Sequence, residues 1–364
     1  MKKTLLILIS LFLFDEAKAQ KIEKGFFVYD DSTHSELKKF TNNKNVIIDH
    51  VSSSGFEIYG VKGLSEELSK MKILFTELNP VSDSFFADYP TAEMITKKMQ
   101  AIQSQYPQLV TLIEIGKSVE GRPLMFAKLT APAKRGLKAP SARPEFKYVA
   151  NMHGDEIVGR ELMIRLIEDL AKNYGNDSRI TNILDSFQVY IMPSMNPDGA
   201  MKHQRSNANG TDLNRSFPDF TTSDNQNTMN RREPEVQAMM KFQAQHHFKL
   251  SANFHGGAEV VNYPYDTSAD VFPLENLVKT MSLNYARKIP YFWNSREFER
   301  GITNGYQWYE VDGGMQDWSY HWHGDLQVTI ELTKTKWPNY SNVDRYYQDN
   351  RESLLGYIEE TATF

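Results

Sequence analysis

The sequence predicts an α/β fold, with a mixed, mostly parallel sheet covered by helices on both faces and a small βαββαβ domain in front of it. From about residue 90 onward, short apolar runs alternate with helix-length amphipathic segments, as in sheets that are buried on both faces. Before that point the pattern changes every few residues. Polar residues follow several predicted strands, where sheets of this kind bind ligands.

The composition is that of a folded protein of 364 residues, because 40% of them are apolar and 24% are charged. The length allows one large domain and a smaller one. The net charge of −5, without any block of like charges, gives no indication of a nucleic-acid partner. The chain has no cysteine, so a metal site must use histidines and carboxylates, and thiol chemistry is excluded.

The N-terminus is typical of an exported protein. Lys2 and Lys3, an apolar run at 5–14 and a small-residue exit at 17–19 indicate a signal peptide over residues 1–19. The apolar run is too short to span a bilayer. We therefore expect a periplasmic or secreted protein with no membrane span after signal cleavage, and we expect a monomer.

Residues 20–79 contain six short elements. Strands are predicted at 26–29, 46–48, 56–59 and 73–78, and helices at 32–40 and 64–71. This order is the split-βαβ plan of a ferredoxin-like domain. Two prolines flank the polar residues that follow, so residues 80–89 are the predicted linker to a large domain at 90–364.

The large domain begins with a helix that ends near residue 106. The strands that follow are predicted at 109–115, 124–129, 146–150, 187–192, 250–255 and 327–332. The further helices are predicted at 159–174, 233–247, 271–287 and 343–360. Four polar residues lie at or near strand ends: His153, Asn196, His255 and Glu331. Since parallel strands end at one edge of a sheet, this edge is the predicted site.

His153 and Glu156 stand three positions apart where a strand turns into a helix, so both side chains can point at one place. Imidazole and carboxylate are ordinary zinc ligands, and a catalytic zinc usually has three protein ligands and one open position for water. His255 ends a strand beside two glycines and is the predicted third ligand. A histidine bonded to the backbone would give the same pattern. The histidines at 246, 247, 321 and 323, the last two placed in a loop, are predicted to be surface or core residues.

Glu331 is a carboxylate inside an otherwise apolar strand, which is costly unless a cation lies near it. Zinc and its water would meet that need and make Glu331 the general base. An outward-facing residue on an edge strand is the alternative. Arg205, Asn214 and Arg215 lie in a Gly- and Asn-rich stretch that suits an anionic group or a developing oxyanion, or else a solvated loop.

With these residues in place, the chain resembles the zinc metallocarboxypeptidases, specifically the branch of carboxypeptidases N, E and D. The matching stretches occur in the family's order: NMHGDEIVGREL, PSMNPDG, SNANGTDLNRSFPD, SANFHGGAEVVNYPYD, GITNGYQWYEVDGGMQDW and VTIEL. The resemblance implies a sheet of about eight strands and the removal of a C-terminal amino acid from peptide or protein substrates.

The resemblance also implies the chemistry at the metal. One zinc per chain is expected, and the residues that match its ligands are His153, Glu156 and His255. Glu331 matches the catalytic glutamate, and Arg205 matches the arginine that polarises the scissile carbonyl. Asp212 matches a carboxylate that supports a zinc-bound histidine.

The substrate contacts follow in the same way. Asn214 and Arg215, assisted by Tyr309, match the residues that hold the substrate's C-terminal carboxylate. Asp266 and Gln316 match the polar groups of the side-chain pocket in the basic-specific branch. An acid at the end of a pocket suits a Lys or Arg side chain, because an unpaired buried cation is expensive.

Residues 20–79 resemble the propeptide of digestive procarboxypeptidases, which is released by cleavage at basic residues. No Lys or Arg lies between Lys72 and Lys97. We therefore expect this segment to stay attached, beside the catalytic domain, without blocking the zinc.

Two alternatives remain at this point. Bacterial relatives of the fold trim peptidoglycan stem peptides, and Asp266 could meet the ammonium group of diaminopimelate. The chain could also bind zinc or peptide without catalysis.

Overall fold

A computed structural model describes residues 22, 24–41, 43, 45–78 and 89–364. The predicted signal peptide and residues 80–88 of the predicted linker lie outside the described residues. Within the described part of the chain, none of the helices combines the length and apolar character needed to cross a membrane.

The N-terminal residues form a four-stranded antiparallel sheet in the order β2-β3-β1-β4. Its elements are β1 (Lys24–Tyr29), β2 (Val46–Ser52), β3 (Gly55–Gly60), α1 (Leu64–Lys70) and β4 (Phe75–Glu77). The predicted small domain with four strands is therefore confirmed. The first predicted helix is only a 3₁₀ turn, Leu37–Lys39. The side chains of Asp30 and Asp31 accept the backbone N–H groups of Thr33, Glu36 and Leu37, and such local bonds compete with a regular helix.

This small domain has its own apolar core. Alternate residues of β1 and β3, which are Phe26, Val28, Phe56 and Ile58, are buried against Leu68 of α1. Successive strand residues point to opposite faces, so the other face of the sheet is left for a different contact.

The large sheet has eight strands in the order β11-β10-β12-β9-β7-β8-β6-β5. They are β5 (Val110–Lys117), β6 (Pro123–Leu129), β7 (Glu145–Ala150), β8 (Gln188–Met192), β9 (Phe248–His255), β10 (Val260–Tyr263), β11 (Ile302–Asn304) and β12 (Leu326–Glu331). The central strands β12, β9, β7 and β8 are parallel, with antiparallel neighbours on both sides. The mixed eight-stranded sheet is confirmed. The short strands β10 and β11 were not predicted, because a run of three or four residues carries almost no periodicity.

The helices of the large domain are α2 (Ala92–Gln105), α3 (Val158–Asn173), α4 (Ser178–Ser186), α5 (Pro197–Lys202), α6 (Pro234–Gln243), α7 (Glu275–Ala286), α8 (Pro290–Trp293), α9 (Gly305–Trp308), α10 (Met315–His323) and α11 (Val343–Glu359). The sequence missed α4, although Asp177 caps it by accepting two backbone N–H groups. Placing His321 and His323 in a loop was wrong, since both lie in the last turn of α10.

Strand β7 shows how the layers pack. Phe146 and Tyr148 belong to the apolar core that includes residues of α3 and α11, whereas Val149 belongs to the opposite core, with residues of α6 and α10. Both faces of the strand are therefore buried. Sheets of this kind bind ligands at the carboxyl ends of their strands, so the ends of β7 and its parallel neighbours are the expected place for a site.

Candidate metal centre and active site

The turn between β7 and α3 positions the first two predicted ligands. Asn151 adopts a left-handed φ of 55°, and its side-chain amide donates to the backbone carbonyls of His153 at 2.9 Å and Gly154 at 3.2 Å. Ser194 donates to Oδ1 of Asn151 at 2.8 Å. These side-chain bonds to the backbone shape the turn, so that the imidazole of His153 and the carboxylate of Glu156 face one place.

Three donor atoms converge there. Nδ1 of His153 lies 3.1 Å from Oε1 of Glu156 and 3.0 Å from Nδ1 of His255, and the latter atom lies 2.9 Å from Oε2 of Glu156. All three residues are buried. Zinc binds imidazole nitrogen and carboxylate oxygen at about 2.0–2.2 Å, so a zinc ion fits between atoms with these separations. The structure thus brings the three predicted ligands together.

The second ring nitrogens of His153 and His255 also have hydrogen-bond partners. Nε2 of His153 lies 3.1 Å from Oδ1 of Asp212, and Nε2 of His255 lies 2.8 Å from the amide of Asn253. Burial opposes ionisation of Asp212, but Arg205 and His153 hold the pKa of its carboxyl well below the usual value. A carboxylate on the far nitrogen fixes the ring of a metal ligand, and Asp212 lies where such support is needed.

Glu331 and Arg205 lie beside the predicted metal ligands. Glu331 ends β12, directly beside His255 in the parallel register, and is buried. Its Oε2 has no hydrogen-bond partner among the described residues. Arg205 donates from Nε to Asp212 at 2.8 Å, and its Nη1 lies 3.6 Å from Oε1 of Glu156. A buried carboxylate and a guanidinium therefore both lie beside the predicted metal ligands.

A second group of polar residues forms a buried cluster around Asp266, close enough to Arg215 for its charge to act on that carboxyl. Oδ1 of Asp266 accepts hydrogen bonds from the side-chain amides of Asn262 at 2.9 Å and Gln316 at 3.0 Å. Oδ2 of Asp317 accepts the backbone N–H of Asp266 at 2.8 Å. Gly305 makes room for the acid, because a Cβ there would lie 1.7 Å from Oδ1 of Asp266. The predicted pair Asp266 and Gln316 is thus brought together.

The charge of this cluster is unusual. Burial raises the pKa of Asp266 to about 7, and burial together with Asp266 raises the pKa of Asp317. Three buried acceptors have no donor among the described residues: Oδ1 of Asn262, Oε1 of Gln316 and Oδ1 of Asp317. Unsatisfied buried acceptors are costly, so this cluster is suited to a ligand that brings donors and positive charge.

The expectation that the N-terminal domain leaves the zinc site unblocked is wrong. Asp49 of β2 forms an ion pair with Arg205 and accepts a hydrogen bond from the hydroxyl of Tyr309 at 2.8 Å. Nε2 of His50 lies 3.7 Å from Oε2 of Glu331. The sequence placed the domain next to the catalytic domain, but nothing in a local pattern shows which face it presents.

Lys336 is another residue that the sequence analysis missed. Its Nζ lies 2.8 Å from Oε2 of Glu57 in β3 and 3.6 Å from Oε1 of Glu156. Asp49, His50 and Glu156 also have donor atoms within 4.8 Å of one another. Because Lys336 and Arg205 already supply positive charge there, we interpret these three residues as part of an ion-pair cluster and not as a second metal site.

With this geometry, the comparisons define the class. Residues 95–353 match the profile of the family described as zinc carboxypeptidase, and the chain belongs to that family. It is 38% identical over 296 residues to carboxypeptidase D of Mus musculus, covering 75% of this chain and 21% of that protein. It is 37% identical over 307 residues to carboxypeptidase M of Mus musculus, covering 78% and 68% of the two chains. The chain thus spans only a small part of the length of carboxypeptidase D.

Solved structures show the same fold. Thrombin activatable fibrinolysis inhibitor superposes with a TM-score of 0.70 at 18% identity, covering 94% of this chain and 99% of that one. Carboxypeptidase A from Helicoverpa armigera gives a TM-score of 0.72 at 16% identity, covering 94% and 98%. Coverage this high extends the likeness in fold to the N-terminal sheet.

The convergence of three donors predicts one zinc ion per chain by elemental analysis, and His153→Ala should lose it. Asp212→Asn should weaken zinc binding about 10–100-fold in a chelator competition, since the carboxylate no longer supports the ring. His246→Ala is the control, because that ring bonds to Glu145 at the opposite end of β7. A full equivalent of zinc in folded His153→Ala would contradict this assignment.

Proposed function

We propose that this protein is a zinc carboxypeptidase that removes Lys or Arg from the C-terminus of peptides. The observation that carries the proposal is the position of three converging metal donors beside Glu331, with a buried acidic pocket next to Arg215. The predicted signal peptide supports an enzyme that acts after export. A peptidoglycan stem peptide remains an alternative substrate, because the ammonium group of diaminopimelate would suit the same pocket.

The chemistry follows from the residues around the metal position. A bound zinc supplies Lewis acidity and a water of lowered pKa. Glu331 would take the proton of the attacking water and return it to the leaving amine, a role that suits a buried carboxylate whose Oε2 has no hydrogen-bond partner among the described residues. Arg205 donates to the scissile carbonyl and to the oxyanion that develops from it. Asp212 keeps His153 and Arg205 in place through hydrogen bonds of 3.1 and 2.8 Å.

Recognition of a chain terminus rests on Arg215 and its neighbours. The guanidinium of Arg215 is half-buried, and the side-chain oxygen of Asn214 accepts the backbone N–H of Met315 at 3.0 Å, which fixes the loop. A guanidinium and a carboxylate form strong charge-assisted pairs. Tyr309 adds a hydroxyl donor on the same side. A substrate with a free terminal carboxylate would satisfy these donors, whereas an internal peptide bond brings no charge to them.

Asp266 supports the preference for Lys or Arg. A substrate ammonium or guanidinium would donate to Asp266 and to the unpaired acceptors of Asn262 and Gln316. An apolar side chain would leave these atoms unsatisfied, which costs roughly 1–3 kcal/mol for each buried group.

Glu331→Gln should lower kcat by about 10²–10⁴-fold while zinc content stays at one ion per chain, because an amide of the same shape cannot take the proton. The comparison is made in full-length protein that also carries Asp49→Ala, so that the N-terminal carboxylate no longer occupies Arg205. Glu145→Gln, at the far end of β7, is the matched control. A loss below about tenfold would assign the base to another group.

Asp266→Asn, in the same Asp49→Ala protein, should reduce the ratio of kcat/KM for Arg-ended over Leu-ended peptides by roughly ten- to a hundredfold, since a charge-assisted contact is lost.

In the protein that keeps Asp266, the ratio of kcat/KM for the two peptides should also depend on pH. Because the pKa of Asp266 is raised to about 7, the carboxylate is charged above that pH and neutral below it. The preference for Arg should therefore fall as the pH falls through about 7.

Other groups also face this carboxylate: Asn262, Gln316, Asp317, Arg215 and Glu331. The Asn variant isolates the contribution of Asp266, because its substrate ratio should not change with pH in that range. A preference for Arg that rises on acidification, or equal losses on both peptides, would place the side-chain pocket elsewhere.

A further inference from the structure

Of the four polar residues that were predicted at strand ends, Asn196 has no part in the chemistry proposed above. It lies in the loop after β8, and its side chain is fully buried. We propose that Asn196 is a positioning residue: its amide fixes the backbone of Arg205 relative to the turn that carries His153 and Glu156. The guanidinium is then held where the oxyanion develops. This inference rests on the proposed function.

The side chain of Asn196 joins three segments of the chain. Its Oδ1 accepts the backbone N–H of Gly199 at 2.9 Å, which caps α5. Its Nδ2 donates to the backbone carbonyl of Met152 at 3.1 Å and to that of Arg205 at 3.3 Å. An amide offers an acceptor and two donors in one group, whereas an ionised Asp has no donor and a Ser has only one. The residue type therefore matches all three contacts.

The backbone carbonyl of Arg205 is the point where these segments meet. It accepts the backbone N–H of Gly154 at 3.2 Å in addition to the amide of Asn196. Gly154 directly follows the predicted ligand His153, and the backbone N–H of Asn196 donates to the carbonyl of Asn151 at 3.0 Å. Arg205 itself lies outside the helices and strands, so its backbone must find partners elsewhere. Those partners set its position from the turn that carries the metal ligands.

Two glycines allow the segments to come this close. A Cβ on Gly154 would lie 2.1 Å from the carbonyl carbon of Gly199 and 2.5 Å from the carbonyl oxygen of Gln204. A Cβ on Gly199 would lie 2.5 Å from Nδ2 of Asn196 and 2.5 Å from the carbonyl oxygen of Ser206. A side chain at either position would therefore push the segments apart.

Helix α5 gives Asn196 a fixed base. Pro197 occupies its first position, where a missing N–H leaves no bond unmade. The carboxylate of Asp198 is buried and accepts hydrogen bonds from the hydroxyl of Ser118 and from the backbone N–H of Glu120, each at 2.8 Å. Both partners lie in the turn between β5 and β6, so the start of the helix is tied to the sheet.

The guanidinium of Arg205 lies at the other end of this arrangement. Its Nε donates to Asp212, and its Nη2 is buried without a hydrogen-bond partner in the part of the chain that the structure describes. An oxyanion is stabilised by donors at about 2.7–3.1 Å, and a displacement of about 1 Å can cost about 10²-fold in rate. Substrate affinity in the proposed function rests on Arg215 and Asp266. Loss of the Asn196 amide should therefore slow the chemical step more than it weakens substrate binding.

The first test introduces Asn196→Ala into the full-length Asp49→Ala protein, which is the parent. The kcat for an Arg-ended peptide should fall by about 10–100-fold, with KM within about threefold and zinc content at one ion per chain. The affinity for an Arg-ended peptide phosphonate, whose tetrahedral anion imitates the oxyanion, should fall by the same factor as kcat/KM. Asp177→Ala, which removes the cap of α4, is the control and should match the parent in both measurements.

A second variant disturbs the same amide without removing it. Gly199→Ala should also lower kcat, because the new Cβ would displace Nδ2 of Asn196, although alanine is normally the better residue in a helix. Gly356→Ala in α11 is the matched control, since the Cβ there first meets the end of the Lys288 side chain. It should leave kcat at the parent value.

A double-mutant cycle tests whether Asn196 acts through Arg205. In a protein that already carries Arg205→Ala, adding Asn196→Ala should lower kcat by less than about threefold, because residues that act as a unit are not additive. A loss as large as in the parent would show that Asn196 acts on some other group and would overturn the proposal.

Hydrogen exchange in metal-free protein gives a readout that needs no turnover. The amide of Gly154, which donates to Arg205, should lose protection in Asn196→Ala and in Gly199→Ala but in neither control. Parent-like kcat in these two variants, or a drop in kcat explained by lost zinc, would overturn this inference alone. A parent that cleaves no peptide would overturn the proposed function, and this inference with it, before any change at Asn196 is made.

Discussion

The buried guanidinium of Arg205 connects the parts of this protein. Its Nε donates to Asp212, which also holds the ring of His153, a proposed metal ligand, and its Nη1 pairs with Asp49 of the other domain. Burial disfavours the charge, but Asp212 and Asp49 keep the pKa of Arg205 above its usual value. A buried cation that has no water around it is stable only when carboxylates or other acceptors pair with it. In the proposed function, the donors that Asp49 occupies here would hold a substrate carbonyl.

The sheet explains why so many charges can meet at one point. Strands β7, β9 and β12 are parallel and adjacent, so His153, His255 and Glu331 emerge at the same edge. One face of all three strands packs on one apolar core, and the other face of β7 packs on the second core, which holds the ends of the strands in position. The functional side chains can then be buried without disturbing the packing beneath them. The N-terminal domain covers this edge. Its carboxylates Asp49 and Glu57 pair there with Arg205 and Lys336 of the catalytic domain.

Much of the site could be predicted from the sequence because its signals are local. The pair His153 and Glu156 needs only a strand end and a turn, and Glu331 stands out as a charge in an apolar run. Asp49 and His50 carry no comparable signal. Their position depends on a bulge in β2, on a left-handed backbone at His50 and on the missing side chain at Gly257, and these features belong to separate parts of the chain. Helix α10 was not predicted, because the two residues before it, Gly313 and Gly314, are typical of a loop when they are considered alone.

The central claim is that a free terminal carboxylate, held at Arg215, places the last peptide bond at the metal. The most direct measurement uses two peptides that are identical except that one ends in Arg and the other in Arg amide. Each peptide is incubated with the zinc-loaded, full-length double variant Asp49→Ala, His50→Gly. The products are identified by their masses in a mass spectrometer. We predict that the free peptide loses a single arginine while the amide stays intact. Cleavage of both peptides at equal rates, or cleavage at an internal bond, would contradict this account.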